Sequence, residues 1–181
     1  MNKPLLQLTT MLAAVFILFT ALTTQAQEKT IGNKPRKGSA NTSINVIKGN
    51  QVAIKMNAGK KPVQLLKFNF NVENRSPDSI RFKVNVYDYD VSVGENFVKK
   101  DITGTILEGK NHISIDLAPY DIRVKGNILV AIEWLKTDPS AIPAFAIGVF
   151  NGGTYTYENA VWKKTPLFGA DFNVQVKKLT N

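Results

Sequence analysis

The segment at residues 127–136, NILVAIEWLK, is apolar at both of its sets of alternate positions. Successive side chains of a strand point to opposite faces, so a strand with this sequence must be covered on both sides. We therefore predict that it is the central strand of the fold. Glu133 interrupts one face and needs a partner: a cation such as Arg81 or Arg123, backbone amides, or a ligand above a half-exposed concave face.

Short runs with the two-residue alternation of half-buried strands fill the rest of the chain from residue 44 onwards. The clearest are 63–72 and 80–87, in which alternate residues are apolar. No window has the 3.6-residue apolar period of a helix. This pattern predicts an all-β fold, specifically an antiparallel, jelly-roll-like β-sandwich of about nine strands.

Clusters of turn-forming residues divide these runs. The Lys-Gly-Asn sequence at 48–50 predicts a hairpin between 44–47 and 52–56. Residues 57–62 contain Asn, Gly and Pro and predict a connection between two strands. The Lys-Gly-Asn sequence at 125–127 predicts the turn that leads into the central strand.

The N-terminal part of the chain predicts export. A lysine at position 3, an apolar run at 11–22 and a Thr-Gln-Ala site at 24–26 are typical of a cleaved signal peptide at 1–26. The run is too short for a transmembrane helix, so we expect no membrane anchor after cleavage. We predict a flexible basic leader at 27–43, a single β-sandwich domain at 44–181, and a secreted, periplasmic or cell-surface location.

Composition excludes several classes of site. The chain has no cysteine, which rules out disulfides, thiolate nucleophiles and thiolate-bound zinc. A single histidine rules out a histidine-rich metal site. The formal charge of +9 is spread along the sequence. In an exported protein it favours anionic envelope polymers or lipid headgroups over nucleic acid, with a merely soluble basic protein as the alternative.

His112, Ser114 and Asp116 supply the residue types of a hydrolase triad, but their spacing argues against one. Residues two apart on a strand are separated by about 6.6 Å, whereas a nucleophile and its base approach within about 3 Å. We expect a solvated face here. Glycoside hydrolysis needs two carboxylates, and no second one stands out as a partner of Glu133. We therefore predict that the protein is not an enzyme.

Asp88 and Asp90 form the candidate metal site. Together with Glu95 they supply oxygen ligands of the kind that calcium prefers. The six to eight ligands of such a site are not all evident, and no calcium-loop motif is present. The alternative is that these carboxylates are solvated residues at the end of a strand, with no cofactor bound.

Two groups of aromatic residues are candidate sugar platforms, because a ring covers the apolar face of a pyranose while nearby polar groups bond its hydroxyls. Tyr87 and Tyr89 form one group, beside Arg81 on the same strand face. The second group follows a glycine turn and consists of Tyr155, Tyr157 and Trp162. The alternative is that these rings are the half-buried cover that tyrosine often provides on strands.

Four segments carry a resemblance to a known family: LLKFNF at 65–70, FKVNVY at 82–87, ISIDL followed by Tyr-Asp-Ile at 113–122, and LVAIEWL at 129–135. They resemble a β-sandwich domain of secreted Bacteroidota-type proteins, which also occurs behind carboxypeptidase-like regulatory domains. The resemblance implies an extracytoplasmic jelly-roll-like fold. It implies no catalytic residues.

Two functions are consistent with these patterns. The first is an exported, non-catalytic module that binds an extracellular or envelope carbohydrate. The second is a structural or adhesion subunit of a cell-surface protein assembly, which contacts its partner through exposed strand edges and the basic leader. Sandwich folds serve both purposes, so the fold by itself does not decide between them.

Overall fold

The structure of the chain, a computed structural model, describes residues 28–35 and 41–179. The predicted signal peptide lies outside the described residues. Within those ranges the chain forms 13 strands and one short 3-10 turn at Ala118–Tyr120. The prediction of an antiparallel all-β sandwich is confirmed, with 13 strands rather than about nine. None of the described segments is a helix long and apolar enough to span a bilayer.

The strands are numbered in chain order. Their bounds are β1 Glu28–Gly32, β2 Asn41–Ser43, β3 Gln51–Asn74, β4 Ile80–Tyr89, β5 Val93–Asn96, β6 Thr103–Ile106, β7 Gly109–Asp116, β8 Arg123–Trp134, β9 Ala144–Val149, β10 Thr154–Glu158, β11 Val161–Thr165, β12 Phe168–Ala170 and β13 Asn173–Lys178.

The long strand β3 belongs to both layers of the sandwich. Its first part, 51–57, pairs with β8 and β10, while its second part, 63–74, pairs mainly with β13, β7 and β9. We call the first set, with β4, β5, β6 and β11, the front layer and the second set, with β1, the back layer. Apolar side chains from both parts of β3 enter one buried core. Because β8 pairs with β3 on one side and β4 on the other, its prediction as a central strand is confirmed.

The core consists of interlocking aromatic and branched side chains. Its largest fully buried residues include Trp134 and five phenylalanines, at 68, 70, 82, 145 and 172. Ring centroids within this group lie 5.1–6.2 Å apart in tilted or edge-on pairs. These distances are typical of favourable aromatic packing, which stabilises the sandwich without disulfides.

Two predicted turns are wrong, because the chain bends there without reversing. Residues 57–62 lie inside β3 and residues 125–127 lie inside β8. The two sites face each other, with Gly59 opposite Gly126 and shifts of register on either side. Both glycines have positive φ, 99° and 70° respectively. Glycine and asparagine here allow two paired strands to bulge and bend together.

The predicted hairpin at 44–56 is also wrong. Of residues 44–47, only Val46 forms a bridge, and its partner is Asp138. Residues 52–56 pair instead with β8 and β10. The turn at 48–50 exists, but its backbone is bonded to the end of β8: Gly49 N donates to Trp134 O at 2.9 Å and Trp134 N donates to Asn50 O at 3.1 Å.

The prediction of a flexible leader at 27–43 is wrong for the residues that the structure describes. Glu28–Gly32 forms a strand that pairs along its whole length with β13, and Asn41–Ser43 pairs with β9. Ile31 is buried in the core. Backbone hydrogen bonds between strands form whether or not the side chains are apolar. A single buried apolar residue is enough to determine which face of this polar segment points inward.

Candidate functional site

Five aromatic side chains lie together on the outer surface of the front layer. They are Tyr87, Tyr89, Tyr155, Tyr157 and Trp162, and we call their surface the aromatic face. Strand register explains why they share a side. Odd-numbered residues of β4, of β8 and of the first part of β3 point away from the core, as do Tyr155 and Tyr157 of β10.

The front layer curls so strongly that its two sides meet. Tyr87 on β4 and Trp162 on β11 are four strand steps apart, a distance of about 19 Å in a flat sheet. Their ring centroids are nevertheless 5.8 Å apart, edge to face at 74°. Tyr89 and Tyr155 meet in the same way at 5.6 Å and 71°. The two predicted platforms are therefore one cluster.

Small and apolar residues lie beneath this cluster. Ala53, Ala131 and Leu129 are fully buried beneath the aromatic rings, and Tyr155 is buried with them. The two alanines leave room for the rings to pack close to the backbone. This second small cluster explains why β8 is apolar on both sides: one side meets the main core, and the other meets the aromatic face.

Glu133 lies beside the rings and is held by two neighbouring side chains. Lys83 Nζ is 3.1 Å from one carboxylate oxygen, and Asn85 Nδ2 donates to the other at 2.8 Å. The Glu133 side chain is 19% exposed. The expected partners Arg81 and Arg123 are both wrong. Register places Lys83 directly opposite Glu133, whereas Arg123 pairs with Asp121, which lies two residues before it.

Hydrogen bonds extend from Glu133 across the site. Asn85 Nδ2 also lies 3.2 Å from Gln51 Oε1, and the Tyr87 hydroxyl donates to that same oxygen at 3.0 Å. Asn96 of β5 donates to Asn85 Oδ1 at 3.0 Å. The side chain of Asn85 is therefore fixed at both ends. The result is a preorganised polar row next to the aromatic rings.

Tyr87 and Tyr89 keep their hydroxyl protons over the physiological pH range, because the pKa of each is raised. Burial raises the pKa of Tyr87 above its ordinary value of 10.0, although the hydrogen bond to Gln51 opposes this effect. The hydrogen bond with Tyr155 raises the pKa of Tyr89, and burial adds to the effect. The hydroxyl oxygens of Tyr89 and Tyr155 are 3.3 Å apart. Tyr87 and Tyr89 therefore each present a hydroxyl that can donate or accept a hydrogen bond.

Two lysines flank the tyrosine pair. Lys55 Nζ lies 4.6 Å from the centroid of the Tyr89 ring, and Lys164 Nζ lies 5.5 Å from that of Tyr155. Both distances are within the range of cation–π attraction. Sequence reasoning missed both lysines and Gln51. The sequence shows that these residues are polar, but it does not show which strands lie next to one another in the sheet.

Arg81 does not join this cluster. It is exposed on the same side of β4, in the row beyond Lys83 and opposite Thr105 of β6. The other predicted ligand residues, namely Tyr87, Tyr89, Glu133, Tyr155, Tyr157 and Trp162, do come together. Among these, Tyr157 packs on Trp162 with ring centroids 5.2 Å apart.

The predicted calcium ligands are not assembled. Asp88 and Asp90 are exposed, and Glu95 pairs with Lys99 at 2.6 Å. Over residues 28–35 and 41–179, no three carboxylate or imidazole groups are close enough to hold a metal. Asp88 lies on the inward-facing side of β4 but beyond the end of the core, so its carboxylate is exposed. It borders a cavity of 1070 Å³ that is also lined by Lys60, Arg123 and Lys125, and these cations disfavour the binding of a dication.

The residues of the apparent triad lie apart on the outer side of the back layer. His112 Nδ1 is 2.8 Å from Asn71 Oδ1, and the Ser114 hydroxyl donates to Asn69 Oδ1 at 2.8 Å. Asp116 accepts a hydrogen bond from a backbone amide two residues further on. All three are exposed. The expectation of a solvated face is confirmed.

Comparison with solved structures finds the same fold in a larger bacterial protein. One match is the structure of the cysteine protease and lectin-like domains of Cwp84, a surface layer associated protein of Clostridium difficile. Its TM-score is 0.60 at 12% identity, over 84% of this chain and 36% of that one. A second is clostridial Cwp84 after propeptide cleavage, with a TM-score of 0.60 at 11% identity, over 84% of this chain and 40% of that one.

The likeness to Cwp84 shows the fold alone, because the sequences are so different. The chain spans two fifths or less of the length of these proteins. No protein-family pattern and no curated protein sequence matches the chain.

Proposed function

We propose that the protein is an exported, non-catalytic module that binds an extracellular or envelope carbohydrate on the aromatic face. The observation that carries the proposal is the convergence of five aromatic side chains beside a polar row of Glu133, Asn85 and Gln51. Aromatic rings cover the apolar face of a pyranose, while amides and carboxylates bond its hydroxyls. Both kinds of group lie side by side here, and hydrogen bonds already hold the polar ones in place.

The state of Glu133 supports binding without catalysis. Glycoside hydrolysis uses two carboxylates about 5–10 Å apart, of which one is a protonated acid. Glu133 is instead held by Lys83 and by a hydrogen bond from Asn85. We assign to Glu133 the role of accepting hydrogen bonds from sugar hydroxyls.

The fold likeness adds support for the class of ligand and for the location. Cwp84 is described as having a lectin-like domain and as associated with a surface layer. An all-β chain that matches part of that protein is well suited to a related task outside the cell. The signal peptide predicted at 1–26 agrees with this location.

A protein-assembly role is the second candidate, and a different surface favours it. Where β9 and β12 pair, four apolar side chains are exposed: Val149 by 46%, Phe150 by 81%, Leu167 by 50% and Phe168 by 43%. Grouped exposed apolar residues are typical of protein contacts. This apolar patch is a different set of residues from the aromatic face, so the two functions can be tested separately.

The experiment is a binding survey with a matched pair of variants. We expect residues 27–181 to be retained by at least one insoluble or gel-embedded polysaccharide. Trp162→Ala should weaken retention about tenfold or more, because it removes a ring that contacts both Tyr87 and Tyr157. Phe150→Ala removes an exposed ring elsewhere and should leave retention unchanged. Both variants should keep a cooperative thermal transition.

Two results would contradict the proposal. One is that no polysaccharide retains the protein, while Phe150→Ala abolishes its co-purification with a cell-envelope protein, which would establish the assembly role. The other is that the two variants weaken polysaccharide retention equally, since retention would then not depend on the aromatic face.

A further inference from the structure

We propose that the aromatic face selects acidic polysaccharides, those bearing carboxylate or sulfate groups, over neutral polysaccharides with the same backbone. This inference rests on the proposed function, because it names the ligand class of the same surface. It depends on a feature of the site that sugar stacking does not require, namely the lysines around the rings.

The charges on this surface are unbalanced. Lys55, Lys83 and Lys164 adjoin the aromatic rings, and Glu133 is the carboxylate that the polar row holds beside them. Glu133 is engaged by Lys83 at 3.1 Å. Over residues 28–35 and 41–179, neither Lys55 nor Lys164 forms an ion pair with a carboxylate. Two ammonium groups therefore remain without a counter-charge.

The position of these two ammonium groups suits an anionic sugar. Lys55 lies over the ring of Tyr89 and Lys164 over that of Tyr155, and these two tyrosines contact each other. The cation–π contact restrains each lysine at the ring, and an ammonium has three N–H groups to offer. Each of the two tyrosines thus offers an ammonium group to an anionic sugar that binds beside the rings. Charge-assisted hydrogen bonds to carboxylate or sulfate are the strong ones.

The cavity of 1070 Å³ beyond Tyr89 adds no net charge of its own. It is lined by Lys60, Arg123 and Lys125 and by Asp88 and Asp90, and Arg123 is paired with Asp121. On the other side of the site, Arg81 is exposed in the row beyond Lys83. The selectivity for an acidic sugar is therefore assigned to Lys55 and Lys164 themselves.

The test compares polysaccharides that share a backbone and differ in the number of their anionic groups. Polygalacturonate is paired with its fully methyl-esterified form, and chondroitin sulfate with desulfated chondroitin, so that the carboxylate and sulfate sources are separated. Binding to each is measured by affinity gel electrophoresis at about 0.01 M and about 0.15 M ionic strength. We expect the more acidic member of at least one pair to bind about tenfold more tightly at low ionic strength, and the difference to shrink at the higher one.

Matched variants distinguish this face from the general basic character of the protein. Lys55→Gln with Lys164→Gln should reduce the preference for the acidic member to twofold or less. The control is Lys67→Gln with Lys110→Gln, which removes the same charge from exposed positions on the back layer. We expect the control to change the preference by less than twofold.

Each remaining outcome overturns the inference in a recognisable way. If both members of each pair bind equally and Trp162→Ala weakens both, the ligand is a neutral feature of the sugar, and the proposed function stands without the inference. If the control pair lowers the acidic preference as much as the double variant does, the preference is non-specific. If no polysaccharide binds, the inference and the proposed function fail together.

Discussion

The indole ring of Trp162 and the phenol ring of Tyr87 pack edge to face, although their strands are four steps apart in the front layer. A flat sheet would hold these rings much further apart, so the front layer is strongly curved between them. The curvature brings Tyr87 next to Trp162, which is 75 positions further along the chain. The ligand proposal depends on this contact.

The pair formed by Lys83 and Glu133 should be energetically coupled. Their side chains are only 28% and 19% exposed, so removing either charge leaves the other partly desolvated without a counter-charge. We expect Lys83→Met and Glu133→Gln each to lower the free energy of unfolding by about 1 kcal/mol, and the double variant to cost less than the sum. Urea denaturation of the four proteins measures this coupling.

The exposed pair of Lys99 and Glu95 is the control for that cycle. Its side chains are 71% and 74% exposed, and solvent screens such a pair. The same substitutions there should show no measurable coupling. Strict additivity at Lys83 and Glu133 would contradict the prediction.

The protein should lose stability in alkali through Tyr87. Its pKa is raised in the folded state, chiefly by burial. Above pH 10.0 the unfolded chain releases this proton while the folded chain retains it, so the free energy of unfolding falls as the pH rises. Below that pH the contribution is complete. Denaturation across the alkaline range should give a shallower decline for Tyr87→Phe than for the natural sequence.

At neutral pH the same substitution should cost about 1 kcal/mol, because the hydrogen bond to Gln51 is lost. Tyr87→Phe should thus be less stable than the natural protein at neutral pH, but it should lose less stability as the pH rises. An unchanged alkaline slope in Tyr87→Phe would show that this ring is freely solvated.

The docking of β1 can be tested at Ile31. Its side chain is only 7% exposed and lies in the main core, so Ile31→Ala should lower the free energy of unfolding by about 2 kcal/mol. Thr30→Ala, at the exposed neighbouring position, is the control and should have little effect. Equal, negligible effects of both variants in thermal unfolding would restore the expectation of a flexible leader.

The bend in β8 should depend on a left-handed residue at Gly126. Its φ is 70°, and a Cβ atom there would meet no other atom within 4 Å, so only backbone strain opposes substitution. Gly126→Ala should therefore cost about 1 kcal/mol, and Gly126→Asn less, because asparagine tolerates this conformation better. Chemical denaturation compares the two. Alanine as stable as glycine would mean that the bend can form without positive φ.

Several features could be predicted from the sequence because they depend on local alternation. The runs at 63–72 and 80–87, the central position of β8 and the outward direction of Tyr87 and Tyr89 all follow from side chains alternating along a strand. The side chain that pairs with Glu133 could not be predicted in this way. Lys83 is its partner because β4 and β8 pair in one particular register, and register across long loops is set by the whole core.

Turn-forming residues misled the prediction for a physical reason. Glycine and asparagine permit a left-handed backbone, and that backbone serves a bulge as well as a reversal. At 57–62 and 125–127 the two segments face each other, so both strands bend and continue. At residues 28–32, by contrast, a polar segment became a strand because β13 offered it a free edge.

The sequence by itself determined that β8 must be covered on both faces, because both sets of its alternate side chains are apolar. Only the tertiary structure decided what covers the outer one. The rings of β4, β10 and β11 meet above Ala131 and Leu129 because the front layer is strongly curved. That curvature is a property of many paired strands together, and no local pattern contains it.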